Sequence, residues 1–219
     1  MSTPAAKICG LRRPEDAALA AEAGAAYLGV ILAAGGPRTV SVAEARAVVA
    51  AASGVPVLGV VVREPVAEAI GAARAAGLAG LQLHGAYTAG DARAVAAAGL
   101  RAWRVLRLAA DAAPPSAEDV AEGEVVLLEP HVPGRDGGTG VALPWPAARA
   151  ALERVRVLAP RARVALAGGL RPETVAAAIA AVGPDIVDTS SGVEDAPGVK
   201  SAAALRRFLE AVHGHRAGR

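Results

Sequence analysis

Short apolar runs alternate with alanine-rich stretches along the whole chain. The runs Lys7–Cys9, Ala26–Leu32, Val57–Val62, Gly80–Leu83, Ala102–Leu106, Val125–Leu128, Val164–Ala167 and Asp185–Asp188 read as strands. They are apolar on both faces, as strands of a parallel sheet buried under helices are. Between them the pattern predicts helices that begin near Pro14, Val42, Pro65, Thr88, Ala117, Pro144 and Pro172, with a last helix from Lys200 to about Val212. Proline is tolerated in a first helical turn, and Gly24, Gly77 and Gly99 stand where helices end before the next strand. Strand and helix alternate in this way without a break in composition, which predicts a closed single (β/α)8 TIM barrel rather than an open sheet. The barrel is expected to be one domain over residues 1–219, with residues 1–6 and 214–219 as loose tails. Arg161–Arg163 and His213–Arg219 read as solvated charge.

Composition narrows the partners. With 219 residues, 53% of them hydrophobic, the chain has the material for one full core. The net charge of +2 is spread along the chain, so nucleic acid is not the expected partner. The longest uncharged run, Ala47–Val62, is interrupted by Gly54, Pro56 and Gly59 and is too short to span a bilayer. MSTPAAK lacks the apolar core of a signal peptide. The single cysteine, Cys9, precludes internal disulfides and fits a reducing compartment. A cytoplasmic protein, without a membrane association, is expected as a monomer or homodimer.

In a barrel of this kind chemistry collects at the C-terminal ends of the strands. Alternation puts Lys7 and Cys9 on one face of the first strand, with Cys9 as its last inward residue. Such a cysteine is either a small buried hydrophobe or a reactive thiol, and the strand alone does not choose. Arg38 follows Gly35-Gly36-Pro37 and could reach over the barrel mouth, where its planar fork suits a carboxylate. Gln82 and His84 share one face of the fourth strand. His84 reads as an orienting or core-satisfying group rather than a metal ligand, since no second histidine or cysteine stands at ligand spacing. Glu129 ends the sixth strand on the inward face, where it is either one half of an acid/base pair with Cys9 or a rim carboxylate paired with an arginine. Asp188 ends the eighth strand. Gly168-Gly169 and Thr189–Gly192 form two small turns one βα unit apart, and Gly137–Gly140 a third. Such turns offer backbone N–H groups and hydroxyls to a phosphate. Neither metal nor cofactor is expected.

Taken together, KICGL, GGPRTVS, LQLHG, LLE…GGTG, LAGGLRPETV and DTSSGVE…PGVK resemble the phosphoribosylanthranilate isomerase family of tryptophan biosynthesis, in order from Lys7 to Lys200. The resemblance implies an Amadori rearrangement of N-(5-phosphoribosyl)anthranilate, a phosphosugar. It implies Cys9 as general base and Glu129 as general acid. It implies Arg38 at the anthranilate carboxylate, Asp188 near the substrate amine, and Gly138, Gly168, Gly169, Ser190 and Ser191 around the phosphate; Gln82 and His84, from their shared face of the fourth strand, are expected as further substrate contacts. Three positions depart from the family pattern: Glu129 replaces an aspartate, Pro144 an aspartate before the tryptophan, and Ser201 an acidic residue. Only the first touches the chemistry, because one methylene lengthens the reach by roughly an ångström, and a displacement of that size costs roughly 100-fold in rate. Two other readings share the phosphate turns: a barrel enzyme for another phosphosugar, and a non-catalytic barrel that binds a phosphometabolite.

Overall fold

The computed structural model describes residues 3–32, 35–109, 114–131 and 143–215. Eight parallel strands close into a barrel in chain order. They are β1 (Ala5–Ile8), β2 (Tyr27–Ile31), β3 (Val57–Val61), β4 (Gly80–Leu83), β5 (Arg101–Leu108), β6 (Val125–Pro130), β7 (Arg163–Leu166) and β8 (Ile186–Thr189). The helices are α1 (Pro14–Glu22), α2 (Val42–Ala51), α3 (Val66–Ala76), α4 (Ala89–Ala97), α5 (Ala117–Val120), α6 (Trp145–Leu158), α7 (Val175–Val182) and α8 (Ala202–Gly214). A hairpin of β9 (Glu194–Ala196) and β10 (Val199–Lys200) lies between β8 and α8. None of the described helices is long and apolar enough to cross a membrane.

Alternation along the strands makes two cores. Ile8, Leu28, Leu81, Val126, Leu166 and Val187 face outward and bury the small faces of the helices, such as Ala17 and Ala20 of α1. Tyr27, Leu58, Trp103, Val125, Leu127, Ala165 and Ile186 face inward and plug the barrel. Trp103 is the bulkiest of them. It is fully buried and meets the Tyr27 ring edge-on at 5.0 Å. The plug gives the polar residues above it a rigid floor. Capping boxes start three helices, with Ser41 and Glu44, Thr88 and Asp91, and Ser116 and Asp119 bonding each other's backbone.

Three details differ from the sequence expectation. β1 begins at Ala5, because Ala5 and Ala6 pair with β8, so residues 5 and 6 are sheet and not tail. The seventh helix begins at Val175 and not near Pro172. Thr174 Oγ1 accepts from the Arg171 N–H, and residues 171–174 form a separate turn. Arg163 is not solvated charge: it opens β7 and donates to the Tyr27 hydroxyl and the Asp185 carbonyl. α5 begins at Ala117 as expected and is a single turn of four residues.

Removing the plug tests the floor. Trp103→Ala is expected to cost about 3–5 kcal/mol of stability, read from the denaturant midpoint, because the closed barrel cannot collapse around the cavity it leaves.

Candidate active site

The C-terminal ends of the strands surround one cavity of about 480 Å³. Cys9, Arg38, Gln82, His84, Glu129 and Asp188 all line it, and so do Gly168, Gly169, Ser190 and Ser191. Gly138 lies outside the described residues. Four buried atoms of lining residues have no hydrogen-bond partner among the described residues: Gln82 Oε1, His84 Nδ1, Asp188 Oδ1 and Ser190 Oγ. Buried polar atoms are nearly always paired, so each of these four is a place where a water or a polar ligand atom can bond.

On one wall, β1 and β8 run in register, with Lys7 opposite Asp188. Lys7 Nζ donates to Asp188 Oδ2 at 3.0 Å, and the ammonium is fully buried. Burial acts to lower the lysine pKa, but the charges of Asp188 and Cys9 outweigh it and the net direction is upward. Cys9 follows the strand, with its N–H held by the Thr189 carbonyl at 2.8 Å. Burial pushes the Cys9 thiol up, and Lys7 opposes that rise.

On the facing wall, His84 Nε2 and Glu129 Oε1 share a 2.6 Å hydrogen bond. Arg107 Nε lies 3.5 Å from the same oxygen. Glu129 is therefore held from both sides, by the imidazole above β4 and by the guanidinium of β5. The glutamate reads as a fixed carboxyl at the cavity edge rather than a solvated rim charge.

At the mouth, Arg38 is not free to swing. Its Nε and Nη2 grip both oxygens of Glu194, at 2.9 to 3.1 Å and 2.7 Å. Lys200 Nζ donates to Glu194 Oε1 at 2.8 Å and to the Ser190 carbonyl at 3.0 Å. The β9–β10 hairpin thus supplies both the acid that orients Arg38 and the lysine that balances that acid. Burial raises the Glu194 pKa, but the hydrogen bond from Arg38 and the charge of Lys200 outweigh it and the net direction is downward. Burial lowers the Lys200 pKa against the opposing pull of Glu194.

The two small turns behave as one unit. The Thr189 hydroxyl donates to the Leu170 carbonyl at 2.8 Å. A side chain on Gly192 would start 1.9 Å from that same oxygen, so the close approach requires glycine. Gly168 and Gly169 hold φ of 99° and 63°, a backbone that L side chains rarely adopt. The turns after β7 and β8 therefore stand side by side with small residues only.

Several residues of the site carry no role in the sequence reading. Lys7, Arg107, Glu194 and Lys200 all belong to it. The inward face of β1 places Lys7, and the motif SSGVE…PGVK contains the other pair, but no local pattern joins any of them to a partner. Arg104, in the middle of β5, is not among them. It points outward instead and donates to the carbonyls of Glu118, Ala121 and Tyr87, while Trp103 and Arg107 take the inward places of β5. Among the described residues, no three of histidine, cysteine, aspartate and glutamate cluster where they could hold a metal.

Comparison with known proteins agrees with this geometry. The family model described as N-(5′-phosphoribosyl)anthranilate (PRA) isomerase matches residues 6–211. The N-(5′-phosphoribosyl)anthranilate isomerase of Pseudomonas fluorescens Pf0-1 is 39% identical over 213 residues, covering 97% of this chain and 100% of that protein. The crystal structure of the isomerase from Thermus thermophilus superposes with a TM-score of 0.83 at 34% identity, covering 97% of this chain and 100% of the other. A solved complex of such an isomerase with reduced 1-(o-carboxyphenylamino)-1-deoxyribulose 5-phosphate has a TM-score of 0.77 at 26% identity, over 96% of this chain and 99% of the other.

The Arg38–Glu194–Lys200 cluster makes a pH prediction. Glu194 has a lowered folded pKa, so its stabilising effect is present above its unfolded value of 4.5 and is lost as pH falls through the lower folded value. Thermal melts of Glu194→Gln are expected to lie below the parent chain at neutral pH, with the gap closing as the medium is acidified below 4.5.

Proposed function

The chain belongs to the N-(5′-phosphoribosyl)anthranilate isomerase family, and from that premise we propose how its residues divide the reaction. The protein isomerises N-(5′-phosphoribosyl)anthranilate to 1-(2-carboxyphenylamino)-1-deoxyribulose 5-phosphate in tryptophan biosynthesis. The observation that carries the division of roles is the cavity lined by both Cys9 and Glu129, with the paired glycine and serine turns at its edge.

In this reading Glu129 gives a proton to the ring oxygen of the ribose. The bond from C1 to that oxygen breaks, and the nitrogen lone pair forms the C1 iminium ion. Cys9, as thiolate, removes the proton from C2. The electrons of that bond form the C1–C2 double bond, and the nitrogen recovers its lone pair. The enolamine then takes a proton at C1 and loses one from the C2 hydroxyl, which leaves the ketone. The substrate nitrogen is the electron sink, so the chain's own acid and base carry every proton transfer. His84 and Arg107 hold the Glu129 carboxyl in place and absorb the freedom of its extra methylene. The cost of a misplaced acid is thereby reduced.

The remaining contacts orient the two ends of the substrate. Arg38, aimed by Glu194, takes the anthranilate carboxylate. Asp188 Oδ1 and Gln82 lie where they can meet the amine and a sugar hydroxyl. Gly168, Gly169, Ser190 and Ser191 take the phosphate through backbone N–H groups and hydroxyls. Partners are thus the phosphosugar and at most a second copy of the chain, in a reducing cytoplasm that keeps Cys9 a free thiol.

Steady-state kinetics test the acid and the base together. Cys9→Ser and Glu129→Gln are each expected to reduce kcat at least 100-fold with KM little changed, since each removes a proton-transfer group. Glu129→Asp is expected to retain substantial activity. Turnover near that of the parent in both Cys9→Ser and Glu129→Gln would end the assignment. For the phosphate turns, inorganic phosphate is expected to raise Tm by mass action, and Gly169→Val to abolish that rise; a rise that persists would place the anion elsewhere.

A further inference from the structure

Lys7 has no task in the reaction as divided above. It is fully buried beneath the cavity and does not line it. A buried ammonium is costly to keep unless its charge is answered. Asp188 answers it at 3.0 Å, and the Trp103 ring centroid lies 5.8 Å from its nitrogen.

A second neighbour makes the lysine more than a partner for one carboxylate. The inward position of β2 beside it is Gly29. A Cβ there would fall 2.8 Å from Cys9 Sγ and 3.2 Å from Lys7 Nζ. Ammonium and sulfur therefore share the space that this glycine leaves open, and they are neighbours. A base must be unprotonated to accept a proton, yet burial favours the neutral thiol. A cation set below the sulfur, out of reach of solvent and substrate, opposes that preference without reacting.

We propose that Lys7 is a positioning residue, the shared counter-ion that favours the thiolate of Cys9 while fixing Oδ2 of Asp188 and leaving Oδ1 for the substrate. The proposal rests on Cys9 being the base. The groups that face the sulfur are few. Lys7 comes from its own strand and Asp188, a like charge to the thiolate, from β8. Arg38 reaches it from the loop before α2, and Lys200 from β10. Glu129 faces Asp188 from β6. Among the cations, Lys7 exerts the largest pull on the thiol.

The test reads the thiolate directly. Cys9 is the only cysteine, so its ultraviolet thiolate absorbance, taken as a difference against Cys9→Ser, titrates one group. Lys7→Met alone would strand the Asp188 charge in the core and could unfold the chain. The comparison is therefore between Asp188→Asn and Lys7→Met/Asp188→Asn, from which both charges are gone. Lys7→Gln in the same Asp188→Asn background provides a second comparison with a more polar replacement. The thiolate midpoint is expected to lie about one pH unit or more higher without Lys7, as for loss of an opposite charge at close range. Coincident titration curves would overturn the proposal. Turnover plays no part in this readout, so its failure is separate from a failure of Cys9 as base, which the kinetics of Cys9→Ser report.

Discussion

The seam between β1 and β8 is the constraint on which the site depends. It joins the two ends of the chain in one register: Ala5 against Ile186, Lys7 against Asp188, Ile8 against Thr189. The buried ion pair at that seam exists only when the barrel is closed, because its members are 181 residues apart and neither could be buried alone without a large desolvation cost. Closing the seam also sets the Cys9 N–H on the Thr189 carbonyl. The thiol, the carboxylate and the serine turn are thus aligned by a single backbone register. A slip of that register would turn every inward group outward.

From this seam the cavity acquires a polarity. The glycine and serine turns after β7 and β8 are locked together through the Leu170 carbonyl and present only small residues. Arg38 stands over the mouth and is held from the far side by the Glu194 carboxylate, which Lys200 binds in turn. Glu129 faces Cys9 from β6, pinned by His84. A ligand with an anion at each end and a sugar between them is the shape these walls describe. Arg38, the cation at the mouth, is itself steadied by the buried carboxylate of Glu194, which keeps its guanidinium preorganised.

Much of this was legible in the sequence because barrels convert alternation into direction. The period-2 pattern placed Cys9, Gln82, His84, Glu129 and Asp188 on inward faces, and the structure brings all five to one cavity. What the pattern could not show were partners. Lys7 with Asp188, Arg38 with Glu194, and His84 with Glu129 are cross-barrel or cross-loop pairs, and no local spacing encodes which strand ends meet. Arg38 read as a free fork for this reason, when part of that fork grips Glu194. Trp103 and Arg104 differ by one place, which on a strand is the difference between the barrel interior and the helix layer. The misplaced start of α7 has a local cause: Thr174 closes its own turn with Arg171, which the Pro172 signal did not reveal.

The central claim is that Cys9 and Glu129 address the same substrate from opposite walls, with its phosphate between the β7 and β8 turns. A crystal structure of this chain with the reduced deoxyribulose phosphate product analogue measures that arrangement most directly. The expected result sets the Cys9 sulfur against C2 of the sugar chain, the Glu129 carboxyl against the oxygen released from the ring, the phosphate between Gly169 and Ser190, and the aryl carboxylate on Arg38. An analogue bound with its phosphate on Arg38, or with Cys9 out of contact with the sugar chain, would contradict it.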